Sequence, residues 1–126
     1  MSKNKIIKHL ELFAGIGGFR RAIDLLAKDL QIESKCIGFS EIDKYARKSY
    51  KANYNTQGEI ENIDIIDFVD NKENIIQLPP FNLLTAGFPC QAFSMMGSRL
   101  GFNDRRGNLF YSIIDILKIK KPKYVL

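Results

Sequence analysis

The sequence predicts an α/β fold: a mostly parallel sheet with helices on both faces. Three observations carry this. Short apolar runs alternate with stretches of helical periodicity, the connections between them are short, and a glycine-rich turn follows the first apolar run. With 126 residues the chain suits one domain, and 45% hydrophobic residues are enough for a core.

The elements follow in order. KIIKHLELF reads as a first strand ending at Phe13, and AGIGG as the turn after it. Phe19, Ala22, Ile23, Leu26 and Leu30 recur at three and four, which predicts an amphipathic helix. KCIGFSEI is a second strand ending near Ile42. Asp43 is placed to cap a helix through about Asn53, with Tyr45, Ala46, Ser49 and Tyr50 on its periodic face. GEIENID holds a brief third strand. DFVDNKENIIQL fits either helix or strand and is closed by Pro79 and Pro80. NLLTAGF is continuously apolar, as buried parallel strands are.

Residues 88–107 read as a long loop carrying Pro89, Gly97, Gly101 and Gly107. Asn108 is placed to cap a last helix whose inward stripe is Leu109, Phe110, Ile113, Ile114 and Leu117. Its last turn is rich in lysine, which suits the negative end of the helix dipole. Pro122 stops it, and KYVL opens a fifth strand. Neither linker, repeat nor low-complexity segment interrupts this order.

Charge and composition narrow the function. A formal charge of +5 and a pI near 9.2 suit an acidic partner such as nucleic acid, and equally a lysine-rich solvated surface. No stretch approaches the roughly 20 apolar residues of a membrane span. The N-terminal residues lack the apolar core and cleavage site of a secretory signal, so a cytoplasmic protein is expected. Two distant cysteines and one histidine make no metal-ligand spacing, and no metal is expected. Cys36, inside an apolar strand, reads as an inert core thiol. His9 gives no support for a Cys–His dyad.

Two constellations carry chemistry. Gly15, Gly17 and Gly18 form a tight turn between strand and helix, and Glu41 lies 23 residues after Gly18, at the end of the second strand. An acid there can accept hydrogen bonds from ribose hydroxyls. Dinucleotides and adenosyl cofactors both fit this arrangement. The second is Cys90, which follows Pro89 at the end of an apolar strand and opens a long glycine-hinged loop. A thiol so placed is a nucleophile if its thiolate is favoured, for example by Arg99, Arg105 or Arg106, and otherwise a structural cysteine. Loops of that length usually serve as lids or binding loops.

ELFAGIGGF, SEIDKYA, GEI, AGFPCQAFS and GFNDRRGNLF occur in that order, and together they resemble the N-terminal motifs of DNA (cytosine-5) methyltransferases. The similarity covers nearly the whole chain and implies the first part of a Rossmann-like S-adenosylmethionine-dependent methyltransferase fold, ending after the fifth strand. By resemblance the cofactor is S-adenosylmethionine, released as S-adenosylhomocysteine. Phe13, Gly15, Ile16, Gly17 and Gly18 would line it, and Glu41 would hold the ribose. Ile42 would pack on the adenine, Glu59 followed by Ile60 would lie near the adenine amine, and Pro89 and Leu109 would close the pocket. Glu11 stands where the family often has aspartate, and Ile42 where it often has tryptophan.

Cys90 would be the nucleophile on carbon 6 of cytosine in double-stranded DNA, and the enzyme one of restriction-modification type. Gln91, Ser94 and Arg106 would meet the flipped nucleotide or its surroundings. The family's Glu-Asn-Val run, its Gln-x-Arg-x-Arg motif, its target-recognition region and its C-terminal motifs have no counterpart in these residues. The chain alone is therefore expected to be inactive, and to need a complementing C-terminal chain or to self-associate through the exposed sheet edge. The competing readings are a non-catalytic S-adenosylmethionine-binding or partner-binding module and, more remotely, a dinucleotide-binding redox protein.

Overall fold

A computed structural model describes residues 5–87 and 109–126. Five strands, β1 (Ile6–Leu12), β2 (Glu33–Ser40), β3 (Ile60–Asn62), β4 (Leu83–Ala86) and β5 (Tyr124–Val125), form one sheet in the order β3-β2-β1-β4-β5. Every pairing is parallel. The helices are α1 (Gly18–Leu30), α2 (Lys44–Asn53), α3 (Ile65–Asp70), α4 (Lys72–Ile76) and α5 (Leu109–Lys120). The strand order turns back at β1, so β1 and β4 diverge in connection, and a crevice opens at their carboxyl ends.

The expected α/β architecture is present, with helices on both faces. The ambiguous stretch resolves into α3 and α4, each started by a side-chain cap: Asp64 accepts from the Ile66 amide and Asn71 from the Glu73 amide. Asp43 caps α2, as its position suggested, by accepting from the Tyr45 and Ala46 amides. Asn108 and the loop from Phe88 to Gly107 lie outside the described residues.

The two faces of the sheet differ in chemistry. On one, Leu10, Leu12, Ile37 and Leu84 pack against Ile65 and Val69 of α3, Ile75 of α4 and Ile116 of α5. The other face is covered by α1 and α2. There His9 and Glu11 of β1 and Thr85 of β4 are buried, beside Cys36 and Phe39 of β2.

This polar face sets the rotation of α1. Its buried residues are Arg20, Ile23 and Ala27, spaced by three and four, while Leu26 and Leu30 are half exposed. The apolar stripe read from the sequence is therefore only partly right, because the Arg20 guanidinium turns inward to Glu59 and Tyr50 while its amide bonds to Glu11 of β1. On α2 only Tyr50 is buried and Tyr45 is exposed. The buried line of α5 is centred on Ser112 and Ile116, with Leu109, Ile113 and Leu117 flanking it and Phe110 turned outward.

Close approach of β2 and β3 depends on Gly38. A Cβ on this residue would lie 2.8 Å from the Ile60 carbonyl oxygen. The neighbouring register shift between His9 and Leu10 is where β2 carries one extra residue against β1.

Candidate cofactor site at the carboxyl ends of the strands

The site begins with the turn after β1. Phe13, Gly15 and Gly17 all have positive φ (53°, 58° and 95°), which reverses the chain within a few residues and starts α1 directly. Gly17 is the N-cap of that helix, and a side chain there would strike the Tyr54 ring. Tyr54 also donates its hydroxyl hydrogen to the Gly17 carbonyl at 2.8 Å. The turn is thus held from α2's end as well as by its own backbone.

Glu41 follows β2 and joins it to the turn. One carboxylate oxygen accepts from the Gly15 amide at 2.7 Å and the other from the Asp43 amide at 2.9 Å. Each oxygen keeps a second lone pair, so the carboxylate is fixed in place and can still accept from a ligand's hydroxyls. The Ala14 amide bonds to the Ser40 carbonyl at 2.9 Å, and the Glu41 amide to the Asn62 carbonyl at 3.1 Å. The carboxyl ends of β1, β2 and β3 are therefore tied across by backbone bonds.

These residues open on a cavity of about 340 Å³. Phe13, Glu41, Ile42, Asp64, Gly87 and Leu109 are among its walls, which are mostly apolar with two carboxylates. Its size and lining suit part of a nucleoside-sized ligand. Of the residues picked out by sequence, the structure brings Phe13, Glu41, Ile42 and Leu109 onto this one cavity. Gly15, Ile16, Gly17 and Gly18 form the adjoining turn. Pro89, Cys90, Gln91, Ser94 and Arg106 lie outside the described residues.

Glu59 is placed elsewhere. It precedes β3, and both its oxygens lie 2.7 Å from the terminal nitrogens of Arg20. Both side chains are about nine-tenths buried. Ile60, next to it, packs on the apolar core. The acid that does reach the cavity from β3 is Asp64, two residues past the strand. Sequence reading missed it because GEI is a more distinctive string than the following NID. The available signal was position, since the carboxyl end of a three-residue strand starting at Ile60 falls near Ile63.

Burial shapes the polar groups beneath the turn. Desolvation pushes the Glu11 carboxyl above the usual range, although Tyr50 and the Arg20 amide donate to it. It also pushes the Cys36 thiol up to about 12 and brings His9 down to about 4, with Arg20 adding to the latter. Cys36 is thus protonated and unreactive, as expected of a core thiol. Among the described residues no group of three or more His, Cys, Asp or Glu could hold a metal ion. No described helix is long and apolar enough to cross a membrane.

Residues 7–126 match the family model for C-5 cytosine-specific DNA methylase. The chain belongs to that family. It is 44% identical over 124 residues to the orphan methyltransferase M.Rho11sI of Bacillus phage rho11s, covering 98% of this chain and 22% of the relative. To the type II methyltransferase M.HgiCI of Herpetosiphon aurantiacus it is 42% identical, over 94% of this chain and 26% of the relative. To the type II methyltransferase M1.ScrFI of Lactococcus lactis subsp. cremoris it is 44% identical, over 94% and 27%. The chain therefore spans about a quarter of the length of these relatives.

Proposed function

We propose that this chain supplies the cofactor site and the nucleophile of a DNA cytosine-5 methyltransferase of restriction-modification type. The observation that carries the reading is the cavity at the carboxyl ends of β1, β2 and β3, where a fixed Glu41 faces apolar walls in a chain of the cytosine methylase family. S-adenosylmethionine would supply an electrophilic methyl group there. Glu41 would accept from its ribose hydroxyls, Ile42 and Phe13 would pack on the adenosine, and Leu109 would close the far wall. Asp64 would take the role near the adenine amine, since it lines the cavity and Glu59 does not. A carboxylate suits that amine because it is an acceptor only.

Cys90 would act as thiolate and add to carbon 6 of cytosine, and the displaced electron pair makes carbon 5 nucleophilic. The cofactor, which Glu41, Ile42 and Phe13 would hold, would supply the methyl group to carbon 5 and leave as the neutral thioether. Loss of the carbon 5 proton to a base then expels the thiolate and restores the ring. The target base must leave the DNA stack first, at about a few kcal/mol. Thiol addition also needs an acid on the ring, and residues 1–126 contain no counterpart of the family's Glu-Asn-Val run. We therefore expect cofactor binding without turnover unless a complementing C-terminal chain is added.

Calorimetry with S-adenosylhomocysteine tests the cofactor reading. The chain should bind it, and Glu41→Gln should weaken binding about tenfold, as loss of charge-assisted hydrogen bonds implies. Trapping on 5-fluorocytosine DNA, with a complementing C-terminal chain present, tests the nucleophile. Cys90→Ser should abolish trapping and leave cofactor binding intact. Trapping that survives the change would remove Cys90 from the mechanism.

A further inference from the structure

We propose that Glu59 is a positioning residue: paired with Arg20, it seats β3 so that Asp64 and Glu41 face one cofactor cavity. The inference rests on the cofactor reading above. Its starting point is the fork geometry. The two Glu59 oxygens meet Arg20 Nη1 and Nη2 at 2.7 Å each, a bidentate pair that occupies the face of the carboxylate. The pair borders a separate space with Ser34, Cys36 and Gln57, away from Glu41 and Ile42.

Arg20 joins four parts of the chain. Nη1 also donates to the Tyr50 hydroxyl of α2 at 3.1 Å, and Nη2 to the Asn55 carbonyl at 3.2 Å. Its guanidinium lies 4.8 Å from the Tyr54 ring centre, which in turn holds Gly17. Tyr50 passes the connection on by donating to Glu11 Oε1 at 2.9 Å, and Glu11 Oε2 accepts the Arg20 amide at 3.3 Å. One guanidinium thereby fixes the start of α1, the end of α2, the segment entering β3 and the acid that precedes the glycine turn.

The link to the cavity runs through β3. Glu59 is followed directly by Ile60, whose backbone sits close over Gly38. Two residues on, the Asn62 carbonyl accepts the Glu41 amide. Two residues further, Asp64 reaches the cavity. A strand of three residues has little pairing of its own to fix its register. Its anchor at Glu59 therefore sets the spacing between Glu41 and Asp64.

Calorimetry on the folded chain, with circular dichroism confirming structure at the working temperature, separates this role from direct contact. The two probes are S-adenosylhomocysteine and its inosine analogue, in which a carbonyl replaces the adenine amine. Glu59→Gln should weaken both by about five- to tenfold, with their ratio unchanged. Tyr50→Phe keeps the ring packing but removes the hydroxyl that accepts from Arg20 and donates to Glu11, and should weaken both by about two- to threefold. Asp64→Asn, which can still cap α3, should change the ratio. Glu59→Gln that alters the ratio, or that leaves both affinities as in the unaltered chain, would overturn the proposal. Failure of the unaltered chain to bind either probe would instead overturn the cofactor reading beneath it.

Discussion

The two faces of the sheet are buried to similar depth by different means. Under α3, α4 and α5 the contacts are mainly apolar: Leu84, Ile75 and Ile116 are fully buried, with Ser112 a buried polar residue of α5. Under α1 and α2 apolar residues such as Ile23 and Phe39 share the interior with buried His9, Glu11, Thr85, Arg20 and Tyr50. Apolar burial is non-directional and stabilises in proportion to area. A buried ion pair returns little net stability, because desolvation offsets much of the attraction, but it demands one geometry. The aliphatic face therefore holds the domain together, while the polar face fixes where the glycine turn and the end of β3 sit. The cavity proposed to hold the cofactor lies at the strand ends between them.

Breaking the polar face should cost most. Arg20→Ala leaves Glu59 buried without its partner and removes the donor to Tyr50, and removal of one member of such a pair costs about 3–5 kcal/mol. Replacing both, as Arg20→Met with Glu59→Met, should recover much of that loss in urea denaturation without recovering cofactor affinity. A double variant as unstable as Arg20→Ala would show that the pair stabilises the fold in its own right. Leu84→Ala on the other face should cost about 2–5 kcal/mol through lost burial and a cavity. Its effect on affinity, measured where the variant is folded, should be under about twofold because Leu84 does not line the cavity.

The polar face also makes stability depend on pH. His9 is almost fully buried, with its folded pKa brought down to about 4 from 6.5 by desolvation and by Arg20. Between these values the unfolded chain binds the proton and the folded chain does not, so stability is whole above 6.5 and falls as pH drops toward 4. The gap corresponds to about 3 kcal/mol at full effect. Glu11 runs the other way: its raised folded pKa gives stability at low pH that is lost as pH rises. Comparing urea midpoints of the chain and of His9→Leu from pH 7 to pH 4 isolates the histidine. Parallel profiles would mean that His9 takes up its proton without opening the structure.

The difference between the faces also explains what the sequence made legible. The succession of strands along the chain, the glycine turn and the acid after β2 could be read because each follows a local rule: an apolar run, a tight turn, a fixed spacing. Phe13, Glu41, Ile42 and Leu109, taken from the family motifs, line one cavity. Glu59 was legible as a motif residue but its partner was not, since Arg20 lies 39 positions away and the pairing depends on how α1 is rotated. That rotation defeats a reading by hydrophobic period alone, because the period assumes an apolar surface beneath the helix. Here Glu11 lies beneath it. Asp64 was hidden for a similar reason, as its relevance comes from where a three-residue strand ends.

The smallest expected effect tests that rotation. Leu30 belongs to the apolar series Phe19, Ala22, Ile23, Leu26 and Leu30, and a helix packed on an aliphatic sheet would bury it. In this fold Leu30 is 57% exposed at the end of α1, and the buried line runs through Arg20, Ile23 and Ala27 instead. Leu30→Gln should therefore change the urea midpoint of this chain by no more than about 0.5 kcal/mol, the usual range for a surface site. Ile23→Ala, one side chain inside the buried line, should cost several times more, about 2–5 kcal/mol if the site cannot collapse. If Leu30→Gln instead cost as much as Ile23→Ala, α1 would be turned toward its leucines. Arg20 would then point away from Glu59 and Tyr50, and the polar face would lose the guanidinium that organises it.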